Sequence, residues 1–149
     1  MPLDYDSLRI KNVLAPVDGS RAGFDALALA CYLSKKNKGT VYAVYVIEVA
    51  RNLPLDAEMS VETRSGEDVL TEAERVADAL DYKVSGELLQ ARDRGHAIVD
   101  EAADRDVDAV VMGITYERVR GEFLGADAAE YVIRNARCKV LLFREPVGE

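Results

Sequence analysis

The chain of 149 residues is short of the residue types that most small sites are built from. It has two cysteines, Cys31 and Cys138, which is too few for a disulfide framework. It has one histidine, His96, which leaves little for a zinc site or a histidine-based catalytic triad. Positive charge is also in deficit, with 19 Lys and Arg against 27 Asp and Glu and a net charge of -8. Nucleic acids and anionic membranes demand a basic patch that displaces counterions, so neither is expected as a partner. No apolar run approaches the ~20 residues that span a bilayer, so no membrane insertion is expected. The start, Met1-Pro2-Leu3-Asp4-Tyr5-Asp6, has no basic n-region and no apolar h-region. A cytoplasmic protein is expected on that ground.

What remains is an ordinary globular composition, 49% hydrophobic and 31% charged. At this length a single domain over residues 1–149 is expected. Short β-branched runs alternate with longer helical patterns. Residues 11–17 (KNVLAPV) read as a strand, closed by Asp18-Gly19-Ser20, with Ser20 as a helix N-cap. Phe24, Leu27, Ala30, Cys31 and Ser34 recur at helical spacing over residues 21–36. Residues 40–47 (TVYAVYVI) form a strand covered on both faces, and residues 48–61 a loop. A second helix is expected over 60–82, with Gly66 weakening its first turns. A more polar strand follows at 83–91, then a helix at 95–104 and a buried strand at 107–113. Residues 114–124 read as a charged loop, followed by a helix at 125–136, a fifth strand at 138–144 and a tail. Strands joined by helices imply right-handed crossovers, hence an α/β fold with a parallel sheet and helices on both faces.

In such a sheet a ligand sits beyond the carboxyl ends of the strands. Asp18, Val46 and Gly113 lie at or near those ends, and Gly125 and Ala126 open the last helix. There is no G-x-x-x-x-G-K-[ST] loop, and Val17-Asp18-Gly19-Ser20-Arg21 is not a G-x-G-x-x-G fingerprint. Cys31 is placed in the core, Cys138 at the start of a buried strand, and His96 on the surface.

Three stretches resemble the universal stress protein family. They are Val13-Leu14-Ala15-Pro16-Val17-Asp18-Gly19-Ser20, Asp108-Ala109-Val110-Val111-Met112-Gly113, and Leu124-Gly125-Ala126 onward through Asn135-Ala136-Arg137-Cys138-Lys139-Val140. The resemblance implies a five-stranded sheet in the order 3-2-1-4-5, like that of the adenine-nucleotide alpha-hydrolases. It also implies a homodimer made through strand five. One branch of the family binds ATP through a glycine, two residues, a second glycine, nine residues, then Gly-Ser or Gly-Thr. Here Gly113 fits the first position and Tyr116 replaces the second glycine. Gly125 follows after only eight residues, and Ala126 stands where the hydroxyl belongs. The family's adenosine contacts map to Asp18 and the backbone of Val46.

Tyr116 puts a large side chain where backbone must approach phosphate, and Ala126 has no hydroxyl to donate. Glu117, Glu122 and Asp127 outnumber Arg118 and Arg120. The expectation is a regulatory stress-response module with weak or no adenine-nucleotide binding, and no enzyme beyond at most slow ATP hydrolysis. Two alternatives stand beside it. One is an ATP-binding (with Mg²⁺) nucleotide-dependent switch in which Arg118 and Arg120 replace the lost groups. The other is a scaffold for a protein partner, such as a transporter it modulates.

Overall fold

The structure, a computed structural model, describes residues 4–146. The first residues of the acidic start, 1–3, and the end of the tail, 147–149, lie outside the described residues. After a 3-10 turn at Tyr5–Leu8, the elements are β1 (Val13–Pro16), α1 (Arg21–Lys36), β2 (Val41–Glu48), α2 (Ser60–Ala79), β3 (Ser85–Ala91) and α3 (Arg94–Asp104). Then come β4 (Ala109–Glu117), β5 (Glu122–Leu124), α4 (Ala126–Asn135) and β6 (Lys139–Arg144). Parallel pairing runs β3-β2-β1-β4-β6, so β6 takes the place expected of strand five.

Burial follows the strand period of two. Val13 and Ala15 of β1, Val41 and Ala43 of β2, and Ala109 and Val111 of β4 face one core with Leu27, Ala30 and Cys31 of α1 and Ala73 and Ala77 of α2. Leu14, Val44, Val110 and Met112 face a second core with Ile98 and Ala102 of α3 and Ala129 and Val132 of α4. All four residues of β1 are buried, as a central strand between two helical layers requires. The amino ends of the central strands are tied by Asp108. Its Oδ2 accepts the backbone N–H groups of Lys11 and Asn12 at 3.0 and 2.9 Å.

The expected charged loop at 114–124 is corrected. β4 runs on to Glu117, turns, and pairs antiparallel with β5 through Thr115↔Leu124, Tyr116↔Phe123 and Glu117↔Glu122. The reason is local. Ile114, Thr115 and Tyr116 are strand formers, Gly121 takes φ +65° at the turn, and the rings of Tyr116 and Phe123 meet across the ladder at 5.0 Å. The charges that read as a solvated loop pair with one another, Arg120 lying 3.4 Å from Glu117 and 3.6 Å from Glu122. The sheet therefore has six strands.

Two glycines change meaning. Gly66 is buried on α2, and a Cβ there would come within 2.4 Å of Leu88 and 2.7 Å of Tyr45, so it lets α2 lie close on the sheet. Gly113, expected as the last residue of its strand, lies inside the longer β4, opposite Phe143 of β6. A Cβ on it would sit 2.2 Å from the carbonyl carbon of Ala22 and 2.5 Å from the nitrogen of Gly23. Both are backbone atoms, so the first turn of α1 must move if Gly113 gains a methyl. Gly113→Ala is expected to lower stability by roughly 3 kcal/mol, read from urea unfolding. Gly86→Ala, whose Cβ meets nothing nearer than 3.7 Å, is expected to be neutral or to gain up to about 1 kcal/mol.

Candidate functional site

The carboxyl end of the sheet is assembled from helix starts. Ser20 caps α1, its Oγ accepting the Gly23 N–H at 3.1 Å. Asp93 caps α3, its Oδ1 accepting the His96 N–H at 2.9 Å. α4 begins differently, since its cap residue is Gly125 at φ +77°, which brings no side chain to accept from the first turn. The N–H groups that open α4 thus lack a capping side chain, and Asp127 complements the helix dipole from the first turn.

A cleft of about 590 Å³ lies where α3 and α4 start. Its walls are Glu48 at the end of β2, Asp93, Arg94 and Gly95 at the start of α3, and residues 122–128 of β5 and α4. Glu48 Oε2 accepts the Arg94 N–H at 3.1 Å, which fixes the end of β2 to the head of α3. The two helices meet closely behind it. A Cβ on Gly95 would reach 2.9 Å from Cβ of Tyr131, and the His96 ring stacks on Tyr131 at 3.8 Å.

The expected site residues fall into separate groups. Gly125 and Ala126 line this cleft. Asp18 and Gly113 instead meet the first turn of α1, and neither lines the cleft. Asp18 is exposed, with its Oδ1 accepting the Ser20 N–H at 2.9 Å, so it closes the β1–α1 turn. Val46 is buried in the middle of the β2–β3 ladder opposite Leu89. Glu48, Asp93 and Arg94 were not picked out from the sequence. The signal available for Asp93 was its position three residues before His96, at the head of an apolar-periodic segment.

The cleft is acidic. Glu48, Asp93, Glu122 and Asp127 face it against Arg94. A phosphate charge about 6 Å from one carboxylate is opposed by roughly 1–3 kcal/mol at effective dielectrics between that of bulk water and that near a protein surface. One guanidinium offsets one such term, so the balance turns further against a ligand with every added phosphate charge. Burial pushes the Cys31 thiol up to about 11 and raises that of Cys138, in both cases disfavouring the thiolate. Among the described residues no cluster of His, Cys, Asp and Glu is disposed to hold a metal ion, and no helix is long and apolar enough to cross a membrane.

The His96 side chain, followed by its backbone N–H, holds the Asp93 carboxyl below its ordinary value of 3.8. A lowered carboxylate pKa adds stability above the unfolded value and loses it as pH falls through the folded one. Asp93→Ala is therefore expected to cost about 1 kcal/mol near neutral pH, as loss of a helix N-cap does. That difference should shrink once pH drops below 3.8. Parallel denaturant titrations of the two proteins at pH 7 and pH 3 check this, and a difference independent of pH would contradict it.

With that geometry in place, comparisons with known proteins are informative. Residues 9–144 match the model of the universal stress protein family. A universal stress protein of Methanocaldococcus jannaschii is 32% identical over 145 residues, covering 93% of this chain and 85% of that one. The structure of a universal stress protein from Archaeoglobus fulgidus superposes with a TM-score of 0.75 at 20% identity, over 90% of this chain and 98% of that one. A structure of the Archaeoglobus fulgidus universal stress protein in complex with dAMP superposes at 0.70 and 20% identity, over 90% and 97%. These two structural likenesses carry the fold.

Proposed function

The chain belongs to the universal stress protein family, and we propose that within it this member is a regulatory stress-response module that binds adenine nucleotide weakly or not at all. The observation that carries the reading is the hairpin of β4 and β5. It stands where the nucleotide-binding branch of the family has its glycine loop, and it brings Glu122 and Phe123 to the cleft. A glycine loop offers bare N–H groups to phosphate, whereas this ladder uses its backbone for strand pairing.

The relative that holds dAMP makes an adenosine phosphate the natural ligand to test. In this reading Asp18 and the backbone of Val46 form the adenosine side, and Gly113, Gly125 and Ala126 the phosphate side. The separation of these groups around α1 and the cleft weakens that set. The switch reading, with Arg118 and Arg120 taking over from the lost groups, is disfavoured because Arg120 already bridges Glu117 and Glu122.

The same proposal includes a homodimer through β6. That strand pairs with β4 along one edge, and its other edge carries no pairing among the described residues. Leu142 of β6 is 41% exposed and Ile133 of α4 is 55% exposed. An unpaired edge with exposed apolar side chains beside it favours pairing with a second copy.

Calorimetric titration with ATP·Mg²⁺ and with dAMP, together with sedimentation equilibrium, tests both halves. The expected result is a dimer with no ATP affinity tighter than about 1 mM, roughly 4 kcal/mol of binding free energy. Micromolar ATP binding that Gly125→Val abolishes would overturn the nucleotide half. A monomer at tens of micromolar protein would overturn the dimer half.

A further inference from the structure

The connection from β2 to α2 has a property that a plain linker lacks. It displays apolar side chains, with Leu53 40% and Leu55 48% exposed, on a backbone pinned at many points. Arg92, just past β3, donates from Nη1 to the carbonyl oxygens of Ala50 at 2.6 Å, Leu53 at 2.8 Å and Val49 at 3.4 Å. Gln90 of β3 donates from Nε2 to the carbonyls of Leu55 at 2.9 Å and Ala57 at 3.0 Å. The Val49 N–H bonds the Ala91 carbonyl at 2.8 Å, and Pro54 stiffens the segment between the two leucines.

Ordering backbone costs about 1–2 kcal/mol per residue. Each side chain-to-carbonyl bond returns about 1 kcal/mol net, and more from a guanidinium. The side chains of Gln90 in β3 and of Arg92 just past it thus offset part of the entropy cost of a loop that shows leucines to water. Single exposed leucines need no explanation. A pair held on a fixed backbone forms a surface that has already met its ordering cost, which is what raises affinity in preorganised recognition.

The electrostatics select the occupant. From residue 51 to 68 the chain carries Asp56, Glu58, Glu62, Glu67 and Asp68 against Arg51 and Arg64. A groove of about 520 Å³ beside the loop is lined by Asp56, Glu58 and Glu67, with Arg64 the cation on its wall. Met59 and Ala57 supply its apolar lining. A second copy of this acidic chain is repelled there, and an anionic lipid surface equally so.

We propose that residues 49–59, together with Glu67 of α2, form a preordered docking surface for a basic amphipathic segment of a protein partner. Leu53 and Leu55 anchor its apolar face. Asp56, Glu58 and Glu67 meet its Lys and Arg side chains. The surface is separate from the cleft at the start of α4 and does not depend on nucleotide.

The test uses the full chain and three synthetic helical peptides, one of Leu and Lys, one of Leu and Glu, and one of Ser and Lys, followed by fluorescence anisotropy. The Leu/Lys peptide is expected to bind with Kd on the order of 10 µM. The other two should bind at least tenfold more weakly, about 1.4 kcal/mol. The exposed double substitution Leu53→Ser with Leu55→Ser should cost at least tenfold for Leu/Lys, with circular dichroism unchanged. Asp56→Asn with Glu58→Gln should weaken binding several-fold at low salt and change little at about 0.5 M salt, where surface charges are screened. Undiminished binding of Leu/Lys to the leucine double variant would overturn the proposal, because the peptide then sits elsewhere. Equal binding of Ser/Lys would overturn it by reducing the effect to net charge. Self-association that the leucine double variant abolishes would overturn it by making a second copy the occupant.

Discussion

Where β4 passes the first turn of α1, the two backbones touch with no room for a side chain. Gly113 makes this possible, its missing Cβ position lying 2.2 Å from the Ala22 carbonyl group. The carboxyl end of the sheet is arranged around that contact. It sets the height of α1 over the sheet, and with it the Ser20 cap and the turn that Asp18 closes. Beyond Ile114 the strand has no parallel partner left in β6, and its next three residues pair with β5 instead. The hairpin then fixes where Phe123, Leu124 and Gly125 stand at the head of α4.

This arrangement separates a fold from one of its uses. A sheet of this topology has a crevice at its carboxyl end wherever crossovers diverge. Whether the crevice holds a polyanion depends on bare N–H groups and on local charge. Here residues 115–117 and 122–124 commit their backbone to a ladder, which leaves the uncapped start of α4 to offer such groups, and carboxylates outnumber the one cation on the cleft wall, Arg94. In the proposed reading, the ladder that orders the segment after β4 also occupies backbone groups that a phosphate loop would present.

Much of the fold was legible because burial leaves a period-two or period-3.6 trace. Ser20 as a cap, the two-sided apolar run of β2 and the inward placement of Cys31 all followed from side-chain type and spacing. The hairpin was misread because Glu117, Arg118, Arg120 and Glu122 look like solvated loop charges until their cross-strand pairing is known. Glycine was ambiguous for a related reason. Gly66 and Gly113 serve close backbone or helix approach, which depends on residues far away in the chain, while Gly125 does supply the left-handed cap. Glu48 and Arg94 were invisible as a pair, since 46 residues separate the carboxylate from the N–H it accepts.

The most direct measurement of the central claim is amide hydrogen exchange across residues 115–124, with and without millimolar ATP·Mg²⁺. A paired hairpin predicts slower exchange in Thr115–Glu117 and Glu122–Leu124 than in the turn between them, unchanged by nucleotide. Uniformly fast exchange that becomes protected only when ATP is added would contradict it, because the segment would then be a phosphate loop awaiting its ligand.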